Sequence, residues 1–506
     1  MKKLAGAAAL ALACSLPLAS AQTHAAPETL QTEIERVERA RQLSRQAFEL
    51  TEAQKLEEAL PLLDEALRLV PLPGEPRGRI QMQRGWLLTQ LKRPQEALPA
   101  LEQASAMLPN EPQAYIYWAE AQWAAGQTVA ASQNITYVAR HYPERLRQMD
   151  KRAVIGLLDA LKRGNHTEAR FGLVLTLVWQ GYDGGSATGE MDWLRMEAAT
   201  GLLQRNRPEE AADVASAVTD NYAMLEMLVS RQFESIWPRL EEKAGPDMAR
   251  HLAANLTAAS EAFKQEPGNL KQRLRYMNAL RALGRYEEAI AAAEPVTGDL
   301  QAMAAAGDDG LFLVNDQAYA LLAAGRGEEA DQLLEKLLAL DIDKYPTLTN
   351  MAINRSEILL RLGRYEDALR TADWAEEHTG KWMNAYGRMW NWSNRTCALK
   401  MLGRQAEAEA TLRQMAEQKA ENYAAHLVAL LCHDRLDDVE AVVLKQLADE
   451  EKRGDMLIQL QDFQGQRNTP LDTAINEKLN RVLQRPAVQQ AVQAAGRLLT
   501  IAGPLI

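Results

Sequence analysis

The residues of this chain that could bind a metal ion are two histidines and a cysteine near its end. His426 and His433 are seven residues apart and share one face of a helix, and Cys432 precedes the second histidine. Zinc requires three or four ligands at close spacing, and the local sequence supplies no others. The motifs Gly-x-Ser-x-Gly, His-Glu-x-x-His and Cys-x-x-Cys are also missing from the sequence. We therefore expect no metal, no cofactor and no catalytic residue.

Two cysteines remain after the first 21 residues, and a disulfide between them would indicate an oxidising compartment. Cys397 and Cys432 lie 35 residues apart. A disulfide needs Cα atoms within about 7 Å of each other, whereas the axes of packed helices are about 8–10 Å apart. We therefore expect buried free thiols rather than a disulfide, which is the alternative.

Aromatic and arginine side chains recur at helical spacing in the same region. Trp382, Tyr386 and Trp390 follow one another every four residues, which predicts one helical stripe that faces either the preceding repeat or a groove. Arg355 and Arg395 occupy equivalent positions, eight residues before a glycine. A buried guanidinium must be paired, so we expect partners such as Asp373 or Glu357, or else two arginines extended along the surface.

The elements that position these residues follow from a repeated spacing. A glycine is followed five residues later by an alanine at Gly126/Ala131, Gly164/Ala169, Gly284/Ala289, Gly325/Ala330, Gly363/Ala368 and Gly403/Ala408. Neighbouring glycines lie 38 to 41 residues apart where the pairs adjoin. Glycine accepts the left-handed conformation that ends a helix, and alanine lets the next helix approach closely. The period predicts stacked helical hairpins, with each alanine buried between paired helices.

One hairpin, at 345–379, matches a known signature of small residues, a glycine, an aromatic residue and alanines. The matching positions are Ser356, Leu359, Gly363, Tyr365, Ala368 and Ala375, and the next hairpin adds Trp392, Thr396, Leu399 and Ala408. The chain therefore resembles the tetratricopeptide repeat family. The resemblance implies an all-α fold, a right-handed superhelical solenoid of stacked antiparallel helix pairs. It implies no activity, because a fold does not determine a function.

The repeat spacing divides the chain into six predicted segments. They are a signal peptide at 1–21, a flexible segment at 22–30, an N-terminal array at 31–220, a degenerate repeat or junction at 221–268, a C-terminal array at 269–455 and capping helices at 456–506. The last segment is expected to cover the open apolar face of the final repeat, or else to dock on another protein. No segment outside the repeats is large enough for a catalytic domain, so the chain is predicted not to be an enzyme.

The first residues are typical of a cleaved secretory signal. Lys2 and Lys3 precede the apolar run Leu4–Ala13, and Ala21 ends a small-residue cleavage site. A lipoprotein acylated at Cys14 is the less favoured alternative. The signal looks bacterial, so we expect a periplasmic location for an exported member of the family.

Charge and hydropathy narrow the possible partners. The formal net charge of −11 becomes −13 when Lys2 and Lys3 are removed. An acidic surface repels nucleic acid, so nucleic-acid binding is not expected. No later segment is long and apolar enough to predict a transmembrane span.

A binding surface is predicted on the first helices of the C-terminal array. Counting back from each glycine selects one face of each first helix, and the groove residues chosen from it are Asn278, Phe312, Asn315, Tyr319, Asn350, Glu357, Trp390 and Ser393. The set mixes aromatic rings with amides, which suits contact with peptide backbone or sugar. The favoured hypothesis is a non-enzymatic scaffold that binds a protein or peptide in this groove. The alternative is an accessory of cell-surface polysaccharide export or assembly.

Overall fold

The computed structural model describes residues 30–184, 189–465 and 469–504. Within these ranges the protein is almost entirely helical, with 28 α-helices, one 3-10 helix and a single pair of two-residue strands. The predicted all-α fold of repeated helix pairs is therefore confirmed. The predicted signal peptide, Cys14 and nearly all of segment 22–30 lie outside the described residues.

Contacts between Cα atoms divide the chain into two compact units. Of the described residues, unit 1 contains those up to 145 and those at 159–169, and unit 2 contains those at 146–158 and those from 170 onwards. The predicted junction at 221–268 lies inside unit 2.

Unit 1 is built of helix pairs around one apolar core. Its helices are α1 (Leu30–Glu52), α2 (Leu56–Leu69), α3 (Glu75–Gln90), α4 (Pro94–Met107), α5 (Pro112–Ala124) and α6 (Thr128–His141). Short turns join α1 to α2, α3 to α4 and α5 to α6, and the two helices of each pair pack together. Leu43, Leu63 and Leu101 are buried in the shared core, where apolar surface removed from water contributes about 25 cal/mol per Å².

Three helices follow that contain residues of both units: α7 (Pro143–Leu146), α8 (Lys151–Arg163) and α9 (Thr167–Trp179). Unit 2 then continues with six helix pairs. They are α10 (Asp192–Gln204) with α11 (Pro208–Ser216), α15 (Leu270–Arg281) with α16 (Tyr286–Thr297), α18 (Asp308–Ala323) with α19 (Gly327–Leu338), α20 (Leu348–Arg361) with α21 (Tyr365–Thr379), α22 (Ala385–Met401) with α23 (Gln405–Glu417), and α24 (Tyr423–Cys432) with α25 (Leu436–Ala448). The first helices α15, α18, α20, α22 and α24 contact one another in that order.

The other elements of unit 2 lie in the segment 221–268, which was predicted as a junction, and near the C-terminal end of the described residues. The junction contains α12 (Asn221–Val229), a 3-10 helix (Arg231–Ile236), α13 (Trp237–Ala244) and α14 (Ala249–Gln265), and α17 (Leu300–Ala305) precedes α18. The C-terminal segment contains α26 (Arg453–Gln459), β1 (Asp462–Phe463), α27 (Pro470–Leu483), α28 (Pro486–Ala495) and β2 (Thr500–Ile501). The two strands pair in parallel, with Asp462 opposite Thr500.

A left-handed residue ends the first helix of each repeated pair. Gly284, Gly325, Gly363 and Gly403 have φ values between 69° and 85°, as predicted. Where the sequence has no glycine, another residue takes the same conformation: Gln54, Lys92, Asn165, Asn206 and Asp434 have φ values of 54° to 61°. The pair Gly164/Ala169 was therefore assigned one residue too early, because Asn165 is the left-handed residue there and Ala169 is only half-buried.

The alanines five residues after these glycines are buried between paired helices. Ala289, Ala330, Ala368 and Ala408 have no exposed surface, which confirms the predicted register. A hydroxyl on the first helix adds a hydrogen bond at the same level. The Oγ of Ser356 donates to the carbonyl of Ala368, and Oγ1 of Thr396 donates to the carbonyl of Ala408, both at 2.8 Å.

The prediction of free thiols is wrong, because Cys397 and Cys432 form a disulfide with a Cα–Cα distance of 5.6 Å. Cys397 lies on α22 and Cys432 ends α24, and these first helices are neighbours. Residues that face each other across two packed helices are closer than the axes, because each Cα lies about 2.3 Å from its axis. The axis spacing therefore overstated the distance between the two cysteines.

The predicted aromatic stripe is interrupted. Asn384 is the N-cap of α22, so Trp382 precedes the helix and is 46% exposed. Tyr386 is 54% exposed, whereas Trp390 packs against the preceding hairpin beside Ile353. The three aromatic residues therefore do not form one continuous surface: two are exposed to solvent and one packs against the preceding hairpin.

The two repeated arginines are paired, but only one with a predicted partner. Nε of Arg395 donates to Asp373 at 2.7 Å, as predicted. Nε of Arg355 donates to Asp331 at 2.6 Å, and its Nη2 donates to Glu335 at 2.9 Å. The proposed partner Glu357 is wrong for Arg355, because the arginine points to α19 of the preceding pair rather than along its own helix.

Candidate functional site

A cavity of about 360 Å³ lies on the first helices of unit 2, where the sequence predicts a groove. Tyr319 of α18, Glu357 of α20 and Trp390 of α22 line it, so three of the eight predicted residues come together. The opposite wall is α27, which contributes Leu471 and Ile475. We name this cavity, between α27 and α18, α20, α22 and α24, the α27 groove.

Polar contacts line one wall of the α27 groove, and one of them crosses to α27. The hydroxyl of Tyr319 donates to Oε2 of Glu357 at 2.7 Å, and Nη2 of Arg361 lies 2.6 Å from Oε1 of the same carboxylate. Nε of Arg361 also lies 3.6 Å from Oδ1 of Asp472 in α27. Burial, followed by the nearby Glu357 carboxylate, raises the pKa of Tyr319 well above its usual value. The Glu357 carboxylate also raises the pKa of Arg361. The Arg361 guanidinium therefore keeps its positive charge and attracts the Asp472 carboxylate of α27.

The apolar side of α27 packs on the disulfide. Leu471 and Ile475, four residues apart on one helical face, contact a buried cluster that contains Cys397 and Cys432. Val428 of α24 belongs to the same cluster surface and also lines the α27 groove. The disulfide holds α22 and α24 together at the point where α27 rests on them.

Both ends of α27 are fixed by polar contacts. Thr469 and Asp472 form a capping box at its N-terminus. Towards the C-terminus, Nζ of Lys478 lies 2.8 Å from Asp434 and donates to the carbonyl of Leu431 at 3.0 Å. The capping box stabilises the helix itself, and the Lys478 contacts seat α27 on α24 and on the turn that follows it.

The other five predicted residues do not line the α27 groove. Asn278 is half-buried and accepts a hydrogen bond from Arg281, and Phe312 packs into the apolar core of unit 2. Asn315 is buried and accepts from Asn354 at 2.8 Å. Asn350 is exposed, and Ser393 is buried with no hydrogen-bond partner for its Oγ among the described residues.

The C-terminal side of the groove was missed from the sequence. The predicted capping helices do contact α24 and α25, but α27 also reaches α20. The signal that could have indicated this contact is the pattern Leu471-Asp472-x-x-Ile475, which places a carboxylate beside two apolar residues of one face. A search for carboxylates that complement Arg361 would have found Asp472.

The two histidines near the disulfide, His426 and His433, are buried in the protein interior. His433 is buried, its Nε2 lies 2.9 Å from Oγ1 of Thr396, and burial lowers its pKa. Burial likewise lowers the pKa of His426. In the described part of the chain, no three His, Cys, Asp or Glu side chains are arranged to hold a metal ion.

None of the helices within the described ranges has both the length and the apolar character needed to cross a membrane.

No protein-family model matches the chain, and no curated protein matches it. Among solved structures, the chain is similar to yeast Tom70, with 12% identity, a TM-score of 0.32 and coverage of 90% of this chain and 99% of that chain. It is similar to a tetratricopeptide repeat protein from Parabacteroides merdae, with 12% identity, a TM-score of 0.24 and coverage of 71% and 99%. For the Cut9–Hcn1 hetero-tetramer of APC/C, the identity is 10%, the TM-score 0.28 and the coverage 92% and 99%. The fold of this chain is assigned from its own helix pairs.

Proposed function

We propose that this protein is a non-enzymatic periplasmic scaffold that binds an amphipathic helix of a protein partner in the α27 groove. The observation that carries the proposal is the resident helix, because α27 lies on the same first helices that a repeat scaffold uses for recognition. The chain's own helix thus identifies the kind of ligand that fits the surface.

The contacts of α27 define the chemistry of the partner. A matching helix carries two apolar side chains four residues apart, as at Leu471 and Ile475, to cover the disulfide cluster. It carries a carboxylate beside the first of them, as at Asp472, to pair with Arg361. An amphipathic helix with one carboxylate beside its first apolar residue satisfies both requirements.

The packing of α27 leaves room for exchange. Within α27, all of whose residues are described, Val482 is the one buried side chain. The adjoining cavity of about 360 Å³ is large compared with the voids of a close-packed interior. A helix held by few buried contacts can open at low free-energy cost, so a partner helix can compete with it.

Two observations support an exported location. The Lys2/Lys3 start, the apolar run and the small-residue site that ends at Ala21 form a signal pattern. The Cys397–Cys432 disulfide is of a kind that persists in oxidising compartments such as the bacterial periplasm.

The test uses a labelled peptide with the sequence of residues 469–485 as the probe. In the full chain, Leu471→Asp with Ile475→Asp releases α27, because each carboxylate is unfavourable against the apolar cluster. The released variant should bind the peptide, and the unaltered chain should bind it at least about tenfold more weakly. Thr473→Asp with Asn480→Asp, which adds the same charge on the exposed face of α27, is the matched control.

Adding Arg361→Glu to the released variant should abolish peptide binding by reversing the charge that meets Asp472. Circular dichroism and melting establish that each variant is folded. A folded released variant that does not bind the peptide would show that the surface does not recognise helices.

A protein partner is identified by photo-crosslinking in cells. A photo-reactive residue replaces Val428 in the released variant, and the control position is Glu366, which is exposed on α21. Protein adducts at position 428 alone support the proposal, whereas equal adducts at both positions or none at all contradict it.

The alternative function, as an accessory of cell-surface polysaccharide export or assembly, would use a different cavity of unit 2. Trp193, Tyr222, Tyr386 and Tyr423 line it, and aromatic rings are stacking surfaces for sugar rings. Binding of neutral saccharides to this cavity, lost in Tyr386→Ala, would support that function.

A further inference from the structure

A second cavity, of about 690 Å³, brings together two distant parts of unit 2. One wall comes from residues 189–226, which include the start of α10 and α12, and the other comes from residues 386–459 of α22, α24 and α26. We name it the aromatic cleft. It shares no lining residue with the α27 groove, and its volume lies within the range of about 300–1,000 Å³ that is usual for ligand sites.

The aromatic cleft exposes large aromatic rings to solvent. Tyr222 is 51% exposed and Tyr386 is 54% exposed, although both lie on helices that are otherwise well packed. Nδ2 of Asn422 donates to the carbonyl of Tyr386 at 3.3 Å, and Nε2 of Gln459 donates to the hydroxyl of Tyr423 at 3.1 Å. The aromatic wall is therefore held in place, and its exposed rings are available to a ligand.

The charge of the aromatic cleft is negative. Its lining contains five carboxylates (Glu190, Asp220, Glu226, Glu421 and Asp455) and one ammonium group (Lys452). Two of these carboxylates already have partners, because Glu190 pairs with Lys151 and Lys271 and Asp220 accepts from the first turn of α12. The ammonium group is placed 4.0 Å from Asp449, so it does not neutralise the others.

Three of the five carboxylates are uncompensated: Glu421, which is exposed, and the electrostatically interacting pair Glu226 and Asp455. Neither Glu226 nor Asp455 has an ion pair or a hydrogen bond among the described residues. The Glu226 carboxylate rests on Gly454, where an added Cβ would lie 2.2 Å from its Oε1, so the absence of a side chain at that position makes room for it. Burial, together with the charge of Asp455, raises the pKa of Glu226 to about 7, and burial raises the pKa of Asp455. A cation next to both groups would relieve this unfavourable electrostatic state.

We propose that the aromatic cleft binds a basic segment of a polypeptide, whose arginine or lysine side chain packs on Tyr222 and Tyr386 and pairs with Glu226 and Asp455. Aromatic faces attract guanidinium and ammonium groups, and a desolvated carboxylate pairs strongly with them. A neutral saccharide could stack on the tyrosine rings but would leave the charges of Glu226 and Asp455 uncompensated. A cationic ligand is therefore preferred. The site is additional to the α27 groove and does not depend on it.

The experiment titrates the full chain with acetyl-Gly-Arg-Arg-Gly-amide, with acetyl-Gly-Gln-Gln-Gly-amide as the matched neutral peptide. The arginine peptide should bind, the glutamine peptide should not, and binding should weaken as salt rises from about 50 to 500 mM. Glu226→Gln with Asp455→Asn should weaken binding by about tenfold or more. Tyr386→Ala should also weaken it, and Glu366→Gln, an exposed acid outside the aromatic cleft, should leave it unchanged.

Tetramers of glucosamine and N-acetylglucosamine are tested in parallel. The proposal is overturned if either saccharide binds while the arginine peptide does not, because the cleft is then a saccharide site. It is also overturned if the peptide does not bind at about 1 mM, or if binding is unchanged in the Glu226/Asp455 double variant. Circular dichroism of each variant separates loss of the site from loss of the fold, and intact peptide binding in the α27-released variant separates this site from the α27 groove.

Discussion

At the residue scale, Glu226 illustrates how a repeat scaffold can hold an unfavourable charge. The residue is half-buried between α12 and α26, and no basic side chain within the described ranges pairs with its carboxylate. Burial and the like charge of Asp455 both disfavour the ionised form, so the pKa of Glu226 rises from 4.5 to about 7. Such a group destabilises the folded state when it ionises.

The sign of this effect gives a prediction for the pH dependence of stability. The folded pKa of Glu226 is above the unfolded value, so its stabilising contribution is complete below about pH 4.5 and is lost as the pH rises to about 7. The shift corresponds to a loss of up to roughly 3 kcal/mol. Glu226→Gln should remove this decline when unfolding is measured in urea between about pH 5 and 7. Glu421→Gln, an exposed neighbour, should keep the decline, and identical profiles for wild type and Glu226→Gln would contradict the assignment.

At the element scale, the helix pairs could be predicted because their turn and their seam have strict local requirements. Gly363 and Ala368 show both, a left-handed residue and a side chain small enough for close approach. The pairs without glycine were harder to place, because Gln54 and Lys92 take the same conformation and nothing in the local pattern distinguishes them from surface residues. Backbone hydrogen bonds that close the helix accompany the conformation there, from the amide of Lys55 to the carbonyl of Leu50 and from the amide of Arg93 to the carbonyl of Leu88.

The alanine seam predicts a position-specific effect of added volume in α23. Ala408 is fully buried and Ala406 is exposed on the same helix. Ala408→Leu should lower the free energy of unfolding by about 1–3 kcal/mol, because three extra carbons cannot fit between α22 and α23. Ala406→Leu should change it by less than about 0.5 kcal/mol. Equal melting temperatures for the two variants would show that the seam tolerates expansion.

The disulfide predicts a redox effect on the last two helix pairs. Cys397 and Cys432 are 35 positions apart in the chain, and such cross-links stabilise by about 2–4 kcal/mol, in part by restricting the unfolded chain. Cys397→Ser with Cys432→Ser should lower the melting temperature, and reductant should then have no further effect. Reductant should lower the melting temperature of the wild type to the same value. A wild type that is insensitive to reductant, with free thiols in its intact mass, would restore the original expectation from sequence.

At the scale of the whole molecule, the C-terminal segment connects the last repeat of unit 2 to its junction. Gly496 pairs with Ser230, the amide of Arg497 donates to the carbonyl of Val229 at 2.9 Å, and the amide of Ala502 donates to the carbonyl of Asp247 at 2.8 Å. These residues lie more than 250 positions apart in the sequence. Periodicity within a hairpin carries no information on such contacts, which is why the sequence predicted only a cap for 456–506. The same limitation applies to the candidate sites, since each has one wall from the C-terminal part of the chain.

This connection predicts a long-range effect of one methyl group. A Cβ at Gly496 would lie 1.9 Å from the carbonyl oxygen of Val229, so Gly496→Ala must displace the C-terminal segment from the junction. We expect a loss of about 1–3 kcal/mol in stability and faster amide hydrogen exchange at residues 228–230 and 497–502. Gly268→Ala is the matched control, because an added Cβ there meets no atom within 4 Å. The helix pairs from α18 to α23 should keep their exchange protection, because they are held by their own neighbours. If Gly496→Ala exchanges like Gly268→Ala, the backbone contacts of Gly496 and Arg497 with Ser230 and Val229 do not hold the C-terminal segment on α12.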